Sequence, residues 1–88
     1  MGWLEFPGKD HSKLIDALQC AVRKATRTNH TMHATVAQEY LDEYLATGRI
    51  VVRMGSLVEL GEIIYNFGKW KHSGLAARIE RGDHIRVD

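Results

Sequence analysis

A single cysteine, Cys20, in a chain of 88 residues is the feature that most restricts the fold. No internal disulfide can staple such a chain, so its stability has to come from apolar packing. At this length only about 60–65% of the unfolded surface is buried on folding. That allows a single domain over residues 1–88 with one small core. An apolar share of 44% and a charged share of 26% are those of a globular domain. No apolar run approaches the roughly 18–20 residues of a membrane span, and Met1 to Phe6 does not read as a secretory signal. The lone thiol favours a reducing compartment, so the expected location is the cytoplasm, of a cell or of an infected host.

Apolar spacing predicts the elements. Leu14, Leu18, Ala21, Val22 and Ala25 recur at helical intervals and predict a helix over 11–27, with Asp10 or Ser12 as its cap. Arg23, Lys24 and Arg27 at its end complement the helix dipole. A second helix is expected over 32–46, with Ala37, Leu41, Tyr44 and Leu45 inward and Tyr40 and Val36 at the flank. Arg49 to Met54 alternates and is β-branched, as a strand would be. Ser56-Leu57-Val58-Glu59 reads as a capping box opening a third helix that ends at Phe67, before Gly68. Gly61 inside that helix implies close packing against a neighbour. Leu75, Ala77, Ile79, Ile85 and Val87 alternate about Arg81-Gly82-Asp83, which predicts a closing hairpin. Trp3 to Phe6 is expected to be an edge strand or an apolar clasp. The expected fold is α+β: three helices packed on one face of a small, mainly antiparallel sheet of about three strands.

Catalytic patterns are poorly represented. His30 and His33 are three residues apart, but a zinc site needs a third and usually a fourth ligand. Cys20 sits within a predicted amphipathic helix, and Ser56 is assigned to a cap. The pairs Asp42/Glu43 and Glu59/Glu62 fall on predicted solvent faces, where a carboxyl keeps its ordinary acidity. Glu59 and Glu62 also argue against an anion at the start of the third helix. No enzyme activity, cofactor or metal is expected.

The charge distribution is more informative. Net charge is +1, yet residues 31–47 carry three acids and no Lys or Arg, and residues 69–81 carry four bases and one acid. If the alternating apolar residues face the helices, Arg49, Arg53, Arg78 and Arg86 share the outer sheet face with Val51, Glu80 and His84. Lys69, Trp70 and Lys71 would stand at its edge. Arginine and tryptophan are enriched in protein-binding hot spots, and also serve nucleic-acid surfaces. Glu39, Asp42 and Glu43 form a second, acidic candidate surface. The expected role is a non-enzymatic regulator or inhibitor, of the kind a virus or mobile element encodes, acting through protein contact. The alternative is a DNA- or RNA-binding regulator using the same arginines. A homodimer across a strand edge is a further expectation.

Gly48-Arg49-Ile50-Val51-Val52 and Gly82-Asp83-His84-Ile85-Arg86-Val87 resemble, over those eleven residues, the small RNA-binding domain named after a ribosomal small-subunit protein. The resemblance implies two short helices before the strands, and supports the nucleic-acid alternative. The chain departs from that pattern at Arg53-Met54-Gly55, where the family has Val-Asn-Gly, and in the helix predicted between the two stretches.

Overall fold

The computed structural model describes residues 2–87, with the backbone alone described at Val87. Its elements in chain order are β1 (Gly2–Leu4), α1 (Lys9–Arg27), α2 (Thr31–Thr47), β2 (Ile50–Val51), α3 (Ser56–Phe67), a 3₁₀ turn (Trp70–His72), α4 (Ser73–Arg81) and β3 (Ile85–Val87). The class is α+β, with four helices and an antiparallel sheet of three strands in the order β2-β1-β3. The N-terminal strand is therefore central, where the sequence suggests an edge or a clasp. Leu4 pairs with Ile50 on one side and Ile85 on the other, and these three turn towards the helices. Because side chains alternate along a strand, Val51, Trp3 and Arg86 stand side by side on the opposite face.

α1 is the hub. Leu14, Ala17, Leu18, Ala21 and Ala25 are wholly buried along it, and the three small alanines let α2 and α3 pack close. α2 contributes Ala37, Leu41, Tyr44 and also Tyr40 to the core, while Leu45 is 59% exposed. The inward stripe is thus rotated from the one expected, because Tyr40 has a partner at its hydroxyl and can be buried. α3 packs on α4, and Gly61 permits it: a Cβ there would overlap the Glu80 side chain.

The expected hairpin is not present. Residues 73–81 form α4, with Leu75, Ala76 and Ile79 buried and Ala77 exposed. Leu75 and Ile79, four apart, satisfy both a strand's alternation and a helix's repeat. Ala, Leu, Arg and Glu are strong helix formers, and that preference decides. Gly82, at φ 77°, is then the left-handed residue that ends the helix, and not the turn of a hairpin. The expected strand over 49–54 is only Ile50–Val51, since the chain turns through Gly55 at φ 78° into α3.

The expected caps are used elsewhere. Gly8 precedes α1, while Asp10 binds Arg78 at 2.7 Å and His84 at 2.9 Å. The Ser56 hydroxyl closes a loop with Arg53, accepting from its N–H at 2.8 Å and donating to its carbonyl at 2.7 Å. No helix is long and apolar enough to cross a membrane among the described residues.

Candidate functional site

The predicted site residues divide among several places. Arg49 and Arg86 share the outer sheet face, and there each is occupied. The Arg49 guanidinium lies 4.8 Å from the Trp3 ring centre, a cation–π contact. Arg86 Nε stands 4.0 Å from Glu5 Oε2, and Trp3 Nε1 donates to Glu5 Oε1 at 2.7 Å. Arg78 belongs to α4, not to the sheet, and its partner is Asp10. His84 is buried, stacked on Phe6 with ring centres 4.8 Å apart. Arg53 leaves the sheet and meets Glu43 at 3.5 Å. The four arginines therefore do not form one open plane. Helix formation at 73–81 removes Arg78, and the turn after Val51 removes Arg53.

Glu43 also seals the outer edge of the sheet. Its Oε2 accepts the Val51 N–H at 2.7 Å, occupying a donor that another strand would use. Glu39 and Glu43 line a groove between α2 and α3, whereas Asp42 faces away and accepts from Gln38 at 2.8 Å.

That groove is the largest concavity described. Both helices pack on α1 and touch each other little, which leaves a trough between them. Two adjoining hollows, of about 600 and about 360 Å³, share Val36, Gly55 and Glu59 and so are continuous. Val36, Tyr40 and Ile63 supply its apolar lining, and Met32, Met54 and Val58 stand exposed along it. Glu39, Glu43, Glu59 and Glu62 rim it, and Arg53 is the one Lys or Arg among its described lining residues. The Tyr40 hydroxyl donates to Glu59 at 2.6 Å, and burial first, then that carboxylate, raises its pKa far above the ordinary 10.0. The phenol thus stays protonated and holds Glu59 in place at the groove wall.

Neither a protein-family model, nor a curated protein, nor a solved structure matches the chain.

Lys69, Trp70 and Lys71 do lie together, but away from the sheet. Lys71 meets Asp16 of α1 at 3.4 Å, and Lys69 lines a cleft with Arg23, Lys24 and Arg27 of the same helix. His30 and His33 pack on Phe67, with ring centres 5.1 and 5.2 Å from it. No group of three His, Cys, Asp or Glu able to hold a metal occurs among the described residues.

Two signals for these places are present in the sequence. Met32, Val36 and Tyr40 follow at four-residue intervals, a second apolar stripe on α2 beside Ala37, Leu41 and Tyr44. Tyr40 turns into the core, Val36 is half-buried against it, and Met32 is left exposed along the groove. Arg23, Lys24 and Arg27 are visible too, but the helix dipole accounts for cations there and hides their convergence with Lys69.

Proposed function

We propose that the protein is a non-catalytic docking module that receives a basic amphipathic helix of a partner protein in the α2–α3 groove. The observation that carries this reading is the combination of an apolar lining with four glutamates along the rim. An apolar stripe on the incoming helix would cover Met32, Val36, Met54 and Val58 above a floor of Tyr40 and Ile63, while lysines or arginines on its flanks would meet Glu39, Glu43, Glu59 and Glu62. From Ser56 to Asn66, α3 offers about 16 Å of wall, enough for roughly three helical turns. Charge complementarity sets orientation and encounter rate, and the buried apolar contact sets residence. A module of this kind acts as a regulator or inhibitor by occupying a helix that another protein would use.

The test is fluorescence polarisation with a labelled amphipathic peptide of about 14 residues, leucine at helical spacing and lysine elsewhere. Saturable binding is expected, weakened at least about fivefold in the Glu59→Gln/Glu62→Gln variant, a loss of about 1 kcal/mol. A glutamate-for-lysine peptide should not bind. Equal binding of both peptides, or of neither, overturns the reading.

A further inference from the structure

We infer that a second surface, the cleft between the C-terminal half of α1 and the α3–3₁₀ connection, binds the phosphate backbone of single-stranded nucleic acid, with Trp70 stacking on a base. Arg23, Lys24, Arg27 and Lys69 line this cleft of about 130 Å³, and no carboxylate is among its described lining residues. Cys20 and Phe67 complete much of the wall.

Part of this positive charge has a local explanation. α1 ends at Arg27 and α3 at Phe67, so two helix C-termini lie near it, and Lys24 Nζ donates to the Asn66 carbonyl at 3.2 Å. Each helix end supplies about half a negative charge. The two ends together offset about one cation, and four are present. Roughly three remain for an external anion. The nearest acid along α1, Asp16, is already engaged by His72 at 2.8 Å and Lys71 at 3.4 Å.

Trp70 decides which polyanion. It is 89% exposed, in a short turn whose neighbours Lys69 and Lys71 are both directed to α1. An uncovered indole next in the chain to Lys69, itself in the lining of the positive cleft, is suited to stack on an unpaired base while phosphates follow the charge. A duplex keeps its bases stacked inside and offers the indole nothing. The surface is separate from the acid-rimmed groove, so either proposal can fail without the other.

The test uses a labelled oligothymidylate of roughly 20 nucleotides and a duplex of equal length, titrated at about 50 and 200 mM salt. Three neutralised phosphates predict a single-strand slope near −2 in log–log form, about 20-fold weaker binding over that range. Arg23→Gln/Arg27→Gln should flatten the slope to about −0.7. Trp70→Ala should weaken binding at least about fivefold and leave the slope unchanged. All these side chains are exposed, so circular dichroism of each variant should match the parent. The inference is overturned by no single-strand binding at the lower salt, or by duplex binding of equal strength that Trp70→Ala does not alter. It is also overturned if binding is lost in Arg49→Gln/Arg86→Gln and kept in Arg23→Gln/Arg27→Gln.

Discussion

His72 donates from Nε2 to the Asp16 carboxylate at 2.8 Å, across 56 residues of sequence. The imidazole is fully buried, and its Nδ1 accepts the Lys69 N–H at 3.0 Å. Both ring nitrogens are thus matched, Nε2 by the carboxylate and Nδ1 by the amide. This bond ties the segment bearing Lys69, Trp70 and Lys71 to α1 and so holds the basic cleft in shape. His72→Ala removes a buried ring and leaves the Lys69 N–H without its partner, and should cost about 2–4 kcal/mol in urea unfolding.

The aspartates that hold α1 to the rest of the fold should show a defined pH response. The His72 hydrogen bond, more than Lys71 beside it, holds Asp16 below the usual 3.8. For Asp10 the Arg78 hydrogen bond leads, followed by His84. A lowered folded value means that the unfolded chain binds more protons. Their stabilisation is therefore full above the ordinary carboxylate value and lost as pH falls below it through the folded values. The urea-midpoint gap between the parent and Asp10→Asn/Asp16→Asn should narrow as pH falls from about 5 to 3. A gap constant over that range would contradict this assignment.

α4 can be tested where no core contact interferes. Ala77 is exposed in its middle. Ala77→Gly should lower stability by about 1 kcal/mol and Ala77→Pro by about 3 kcal/mol, the ordinary helix penalties. A strand would also be weakened by both, so Ala77→Val separates the two elements: β-branching costs a few tenths of a kcal/mol in an exposed helix and favours a strand, and a gain in stability on equilibrium unfolding would contradict α4.

The Gly61–Glu80 contact gives a constructive prediction. A methyl at Gly61 would meet the Glu80 side chain, which is exposed and flexible. With Glu80→Ala in place, Gly61→Ala should add up to about 1 kcal/mol of stability from helix propensity. Destabilisation by the added methyl in that background would contradict Glu80 as the group that Gly61 makes room for.

Much of the fold was legible in the chain, and the losses have physical causes. Leu14 to Ala25 can satisfy only a helical repeat, so α1 is unambiguous, and Gly61 correctly announced a close helix contact. Leu75 and Ile79 fit two repeats at once, so their spacing alone does not tell α4 from a strand. A strand there would put Arg78 on the sheet face, and His84, which alternation places outward, is instead buried against Phe6. Ser56 matched a capping pattern, yet its hydroxyl serves the Arg53 turn, because a hydroxyl finds whichever backbone partner the tertiary fold brings near. Glu39 and Glu43 stand out in the sequence by charge alone, but Glu59 and Glu62 join them only because α2 and α3 diverge. That divergence is a property of packing on α1, and no local spacing encodes it.

The Tyr40–Glu59 bond links core to groove. Tyr40→Phe should cost about 1 kcal/mol in stability, the worth of a typical half-buried hydrogen bond. It also frees the Glu59 carboxylate to move, so the lysine-bearing peptide should dissociate faster from this variant in stopped-flow displacement.

The docking proposal is tested most directly by two-dimensional amide NMR of the parent protein during titration with the basic amphipathic peptide. Shifts should concentrate at Val36, Tyr40, Glu59 and Ile63, with Trp3, Arg49 and Arg86 unmoved. Shifts centred on the sheet residues, or a spectrum unchanged at millimolar peptide, would contradict it.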